Sequence, residues 1–105
     1  MSVSRRYEIL LPLQFNDGTP VPDVLIGEVL GEPRRRFGAV TWEPQPIRGA
    51  WEHGGEVFRD DLMRVIVGVP DTATNRQHFL ELKGDLKARF RQIDIWMTTH
   101  LVDVV

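Results

Sequence analysis

The chain has 105 residues with 13 basic and 15 acidic side chains, a formal net charge of -2, and no cysteine. This length fits one small domain, and the hydrophobic and charged fractions of 42% and 27% exclude disorder as the main state. The lack of cysteine excludes disulfides, a thiolate nucleophile and a zinc–cysteine site, and the near balance of charge provides no overall attraction to nucleic acid or anionic membranes.

No apolar stretch in the sequence approaches the roughly 20 residues that a membrane-spanning helix needs. The stretch that follows Arg5 and Arg6 ends by Gln14, which is too short for the core of a signal peptide, and no small-residue cleavage site follows it. The sequence therefore predicts a cytoplasmic location.

The first predicted element is a strand over Arg6–Phe15, because apolar side chains recur there at every second position and so share one face. We expect residues 1–5 to form a flexible tail. The composition of Asn16–Pro20 is typical of a turn.

A helix is predicted to begin at Pro22 and Asp23, two residues that suit a helix start. Pro33 lacks a backbone N–H and would cost about 3 kcal/mol inside a regular helix, so we expect a break or kink near Gly31–Glu32. Gly38 is the predicted C-terminal cap.

The middle of the chain predicts a hairpin preceded by an interrupted strand. Ala39–Glu43 forms a short strand, Pro44-Gln45-Pro46 interrupts it, and Ile47–His53 resumes it. Gly54-Gly55 is a strong two-residue turn, and Glu56–Val69 is the return strand. A two-residue loop sets five cross-strand pairs: His53 with Glu56, Glu52 with Val57, Trp51 with Phe58, Ala50 with Arg59, and Arg48 with Asp61.

A second helix and a last strand complete the pattern. Asp71 or Thr72 is expected to cap a helix that runs to about Arg91, and a strand over Ile93–Val102 follows it. The apolar stripe of this helix has helical spacing and consists of Phe79, Leu82, Leu86 and Phe90.

This β-α-β-β-α-β order predicts the ferredoxin-like sandwich, an α+β fold with two helices on one face of a four-stranded antiparallel sheet of order 4-1-3-2. An alternative is a sheet with a fifth short strand, if the proline-interrupted segment splits in two. Under the helices we expect Ile9, Leu11, Leu13, Val65, Val67, Ile93, Ile95 and Met97, with Trp42 also in the core.

The face of the sheet without helices is predicted to be unusually apolar, because it carries Leu10, Ile66 and Trp96 among charged residues. Such a patch is typical of a surface that a partner or ligand covers. The hairpin also extends past the sheet, and its Trp51 and Phe58 could clasp a second subunit. A homodimer or higher homo-oligomer is therefore the expected assembly.

The same open face supplies candidate catalytic residues. His100 could serve as a general base oriented by Asp94 or Glu8, and Arg64 could hold an anion. The competing interpretation is ordinary: His100 is a polar residue at a subunit seam, and Glu8 with Arg64 is a surface ion pair worth about 0–1 kcal/mol.

Other chemistry finds little support in the sequence. Asp60 and Asp61, with Glu43 or His53, could ligate a metal, but adjacent strand residues point to opposite faces, so we predict no metal site. Phosphate-loop, dinucleotide, esterase and zinc-protease motifs are missing, and no cofactor is predicted.

Nucleic acid is an improbable partner. Acidic residues interrupt the basic runs, such as Arg34-Arg35-Arg36, and the first and third strands carry no stacking aromatic residue on the open face.

Three segments of the chain carry a resemblance: Phe37–Trp42, Gly49–Trp51 and Phe90–Met97. The second strand begins with F-G-A-V, G-x-W precedes the hairpin turn, and the second helix ends in R-F-x-Q before the last strand. The chain resembles small bacterial proteins of unknown function with a ferredoxin-like domain, from about Tyr7 to Val102. The resemblance implies the fold and a bacterial cell, and it implies no activity and no catalytic residue.

Three functions remain open from the sequence. The leading hypothesis is a non-enzymatic, homo-oligomeric interaction or small-ligand-binding module that uses the open face. The alternative is a small cofactor-independent enzyme with a pocket on that face. The third hypothesis is a protein associated with nucleic acid.

Overall fold

Each of two helices lies between strands along the chain in the computed structural model, which describes residues 3–43 and 45–105. Two helices and an antiparallel sheet place the protein in the predicted α+β class. The elements of the described part are β1 (Ser4–Pro12), α1 (Asp23–Phe37), β2 (Thr41–Trp42), β3 (Ile47–His53), β4 (Glu56–Pro70), α2 (Ala73–Arg89) and β5 (Trp96–Val102).

The sheet has five strands in the described part of the chain, in the order β2-β4-β1-β5, with β3 also paired to β4. The prediction of a four-stranded sheet of order 4-1-3-2 is therefore corrected to its alternative with a fifth short strand, because the proline-interrupted segment forms two strands that share one edge of β4. Proline cannot donate to a strand ladder, so pairing stops before Pro46 and resumes at Ile47. Pro44 lies outside the described residues.

The core lies between the helices and one face of the sheet, as the alternation in β1 and β4 predicts. Tyr7 stacks on Phe79 of α2 with ring centroids 3.8 Å apart, a contact that joins the central strand to the longer helix. The buried hydrophobic side chains of the described residues are Tyr7, Ile9, Leu11, Val21, Val29, Val65, Val67, Val69, Phe79, Leu82, Leu86, Phe90 and Ile95.

The first helix runs unbroken through Pro33, so the predicted break near Gly31–Glu32 is wrong. Pro33 is itself buried, together with Val29 and Gly31, and this packing offsets the lost hydrogen bond. Gly38 caps the helix as predicted: its φ is 88°, and its N–H donates to the carbonyl of Arg34 at 2.9 Å.

Several strand boundaries and core positions differ from the prediction. The first strand begins at Ser4, inside the predicted tail, and ends at Pro12. The last strand begins only at Trp96, and Ile93, expected in the core, is 46% exposed. Trp42, also expected in the core, lies on a two-residue edge strand and is 47% exposed.

The β3–β4 hairpin has the predicted register at all five pairs. Its turn residues Gly54 and Gly55 have φ of 60° and 78°, which suits glycine at both positions. The part of β4 before Leu62 pairs with β3 and not with β1. The segment Ile47–Asp61 therefore projects beyond the central strand as an arm, and the molecule measures 46 × 29 × 24 Å.

Neither helix in the described part of the chain has the length and apolar character needed to cross a membrane.

Candidate functional site

A cleft of about 780 Å³ lies at the end of the sheet, between the arm and the segment that leads from α2 into β5. The central strand β1 lies between these two walls, because it pairs with β4 on one side and with β5 on the other. The cleft is lined by Leu10, Pro12, Gly49, Ala50, Trp51, His53, Asp60, Leu62, Lys87, Gln92, Ile93, Asp94, Ile95 and Trp96.

The cleft exists because the strands have unequal lengths. Trp96, the first residue of β5, pairs with Leu10, whereas β1 continues to Pro12. Beyond Leu10 no residue of β5 pairs with β1, and the segment Gln92–Ile95 that leads into β5 lines the cleft. On the other edge the arm extends past Pro12, so the two walls stand apart across β1.

The arm wall presents a fixed indole. Trp51 stacks on Phe58 with ring centroids 4.7 Å apart, and its Nε1–H donates to an oxygen of Asp60 at 2.8 Å. Gly49 lies directly opposite Asp60, and a Cβ there would come within 3.2 Å of Leu62. The stacking and the hydrogen bond hold the indole in one orientation at the side of the cleft.

The opposite wall carries an ion pair. Asp94 lies 3.2 Å from the ammonium of Lys83 and accepts the N–H of Ile95 at 2.9 Å. Partial desolvation acts to raise the pKa of Asp94, but the Lys83 contact, the Ile95 N–H and the positive charge of Lys87 outweigh it and hold this pKa below its usual value. Asp94 is thus a carboxylate at neutral pH.

The cleft combines two tryptophans with groups of both charges. Trp96 is 66% exposed, so one of its faces is open to a planar ligand. Aromatic faces bind purine rings by stacking and attract cations, and Asp60 and Asp94 add negative charge. Lys87 supplies a cation on the same wall as Asp94. This arrangement suits a ligand that has a planar ring, a positive centre and a carboxylate.

Four of the residues predicted from the sequence come together here: Leu10, Trp51, Trp96 and Asp94 all line the cleft. Phe58 lies next to the cleft, where it supports Trp51. The predicted apolar open face is present, because Leu10 and Ile66 alternate with the buried residues of their strands.

The predicted grouping of His100 with two carboxylates does not form. His100 pairs with Arg6, whose guanidinium instead binds Glu8 at 2.9 Å. Asp94 precedes β5, and His100 lies four residues beyond Trp96, which is about 13 Å along a strand. Asp94 is therefore too distant to orient the imidazole of His100.

The predicted pairing of Glu8 with Arg64 is also wrong. Leu10 lies opposite Arg64 in the register of β1 and β4. Arg64 binds Glu43 at 3.1 Å, across the edge of the sheet near β2. Its positive charge is neutralised there, and it does not line the cleft.

Sequence reasoning missed Lys87 and gave Asp60 a different role. Lys87 is not among the residues that the sequence predicts for a site, and Asp60 is considered there only as a metal ligand. The structure places Asp60 in the cleft and Asp61 on the other face of the arm, near Arg48, as strand alternation requires. Within residues 3–43 and 45–105, no group of three or more acidic or histidine side chains could hold a metal ion.

Comparisons with known proteins give similarity in structure alone. No protein-family model matches the chain, and no curated protein matches it. A phage SAM lyase in complex with S-methyl-5'-thioadenosine is similar with a TM-score of 0.72 and 14% identity, over 100% of this chain and 89% of that one. A phage SAM lyase in the apo state is similar with a TM-score of 0.59 and 16% identity, over 99% and 86% of the two chains.

These neighbours correct two interpretations of the sequence. Both are structures of a lyase, a finding that contradicts the leading hypothesis of a non-enzymatic, homo-oligomeric interaction or small-ligand-binding module and agrees better with the enzyme alternative. The comparisons also provide no support for the resemblance to small bacterial proteins of unknown function.

Proposed function

We propose that this protein is a small enzyme that cleaves S-adenosylmethionine, or a closely related sulfonium nucleoside, in the cleft between the arm and the α2–β5 segment. The observation that carries the proposal is the likeness of the whole chain to a lyase whose structure contains S-methyl-5'-thioadenosine. The cleft supports it independently, since its tryptophans and carboxylates match the chemistry of such a ligand.

Each part of the ligand has a suitable partner in the cleft. The adenine ring can stack on the open face of Trp96 or against the fixed indole of Trp51. The sulfonium is a cation, which aromatic faces and the nearby carboxylates of Asp60 and Asp94 stabilise. Leu10 and Leu62 supply apolar surface between these groups.

The reaction that we propose breaks the bond between the sulfonium sulfur and Cγ of the amino-acid part. The sulfur keeps the electron pair and leaves as the neutral thioether S-methyl-5'-thioadenosine. An oxygen of the substrate's own carboxylate bonds to Cγ and closes a lactone, so no base or co-reactant is consumed. The step joins a positive and a negative charge, and a partly dry, apolar site favours it over water.

We further propose that the fold is a ferredoxin-like sandwich with a divided second strand, and that copies associate through the open face. The first point is supported by the element order when β2 and β3 are counted together. The second is supported by the apolar Ile66 on that face, which lies near charges that are already paired within the chain: Arg6 with Glu8, and Arg64 with Glu43.

The test of the proposed function is to incubate the protein with S-adenosylmethionine and to quantify S-methyl-5'-thioadenosine by chromatography, with calorimetry of S-methyl-5'-thioadenosine binding. We expect the thioether to form as the substrate disappears. Trp51→Ala and Trp96→Ala should each weaken binding about tenfold or more, since stacking on one aromatic side chain is worth about 1–3 kcal/mol.

Trp42→Ala is the matched control, because Trp42 is an exposed tryptophan outside the cleft. It should leave both binding and turnover unchanged. A protein that neither binds S-methyl-5'-thioadenosine nor releases it from S-adenosylmethionine would overturn the proposed function, and equal effects of all three variants would remove the cleft as its site.

A further inference from the structure

Lys87 is a cation in the cleft without an acidic partner of its own. It lies in the last turn of α2 and is half-buried among the lining residues of the cleft. The ion pairs formed within residues 3–43 and 45–105 do not include it. The ammonium of a half-buried lysine that lines a cavity is stabilised when an anion or water contacts it.

The carboxylate on the same wall already has partners that lie closer to it than Lys87 does. Asp94 contributes to the same wall, but one of its oxygens binds both Lys83, one helical turn before Lys87, and the N–H of Ile95. The other carboxylate of the cleft, Asp60, accepts the indole N–H of Trp51 on the opposite wall. Lys87 is therefore the charged group of the cleft that remains available to an incoming anion.

We propose that Lys87 determines substrate specificity by binding the carboxylate of the amino-acid part, so that the cleft prefers nucleosides that carry this part over S-methyl-5'-thioadenosine. This inference rests on the proposed function. It also defines the orientation of the substrate, whose carboxylate lies at the α2–β5 wall of the cleft. It also gives the site a means of releasing product, because S-methyl-5'-thioadenosine lacks the group that Lys87 holds.

A second role for Lys87 predicts different behaviour. If Lys87 serves only to support the negative charge of Asp94, its removal changes the binding of every nucleoside by the same factor. If it binds the substrate carboxylate, its removal weakens only ligands that have this group. Two unreactive thioethers separate these cases: S-adenosylhomocysteine carries the amino-acid part, and S-methyl-5'-thioadenosine does not.

The experiment measures the dissociation constants of both compounds by calorimetry for the wild type and for Lys87→Gln, Lys87→Arg and Arg76→Gln. We expect Lys87→Gln to weaken S-adenosylhomocysteine about tenfold, as expected for one lost charge-assisted contact, and to change S-methyl-5'-thioadenosine less than twofold. Lys87→Arg keeps the charge and should restore most of the affinity. Arg76→Gln removes an exposed cation from the same helix and should change neither constant.

Turnover of S-adenosylmethionine provides a second readout. In Lys87→Gln we expect KM to rise about tenfold while kcat stays within about threefold, since a carboxylate released from an ammonium is no weaker as a nucleophile. Circular dichroism melting verifies that each variant is folded.

The outcomes distinguish the two proposals. Weakening of both thioethers by the same factor, or of neither, would overturn the role of Lys87 while leaving the proposed function intact. If the wild type binds neither thioether and releases no product, the proposed function itself is wrong, and the role of Lys87 is overturned with it.

Discussion

His78 is the residue whose ionisation the fold opposes most clearly. Its imidazole meets the rings of Phe37 and Phe79 edge-on, with centroid distances of 5.6 and 5.3 Å. Desolvation, reinforced by the positive charge of Arg36, lowers the pKa of His78 below its usual 6.5, and Glu32 and Glu81 oppose this only in part.

The lowered pKa of His78 makes stability depend on pH. Between the two pKa values the unfolded chain binds the proton and the folded protein does not, so stability is lost as the pH falls below about 6.5. We expect the free energy of unfolding, measured with urea from pH 7 to pH 5, to fall less steeply for His78→Gln than for the wild type. Identical slopes would contradict this account.

Single residues also show which side-chain positions the alternation pattern of a strand can predict. Leu10 and Trp96 lie on the open face because alternation within a strand decides the face, and this is local geometry. Ile93 is expected in the core on the same reasoning, and Trp42 is also expected there, but both are about half exposed. Alternation could not locate them, because Ile93 precedes β5, and Trp42 lies in β2 at the edge of the sheet.

The arm depends on the contact between its two strands, and a pair of neighbouring aspartates tests this. Asp60→Ala removes the acceptor of the Trp51 N–H. We expect it to reduce the near-ultraviolet circular dichroism of the indole and to weaken S-methyl-5'-thioadenosine binding by about threefold to tenfold, since such a hydrogen bond is worth about 1 kcal/mol.

Asp61→Ala is the matched control, since it removes the same charge from the other face of the arm. It should leave both signals close to those of the wild type. Equal losses in the two variants would show that the charge of the arm matters, and that the Trp51 hydrogen bond does not.

The helices illustrate the limits of local propensity. The start of α2 follows the rules, because the hydroxyl of Thr72 accepts the N–H of Asn75 at 3.1 Å. The first helix departs from them: Pro33 should have ended it and instead lies inside it, buried. Helix propensity includes the backbone hydrogen bond that Pro33 cannot form, but it does not include the tertiary contacts that offset this loss.

The shape of the whole molecule concentrates its apolar surface at one end and on one face. The arm extends one edge of the sheet, and the open face continues from it through Leu10 to Ile66. If copies associate through this face, a charge placed at its centre should prevent association, because a buried, unpaired carboxylate is costly.

Sedimentation of the wild type and of Ile66→Glu tests this. We expect the wild type to sediment as an oligomer and the variant as a monomer. Ile66 lies outside the cleft, so binding of S-methyl-5'-thioadenosine within one subunit should survive the substitution. Leu80→Glu, on an exposed position of α2, is the control and should not change the assembly. A wild type that sediments as a monomer at all concentrations would contradict the expected association.

The amino-acid order alone determined the elements, the hairpin register with its Trp51–Phe58 and Arg48–Asp61 pairs, and the face on which Leu10 and Trp96 lie. These follow from contacts between residues close in sequence and from the two-residue period of a strand. Only the tertiary structure decided that β5 begins late, that the arm stands opposite it, and that Asp60, Asp94 and Lys87 therefore share a cleft. The reason is that these distances depend on where distant segments end relative to one another, which no local period encodes.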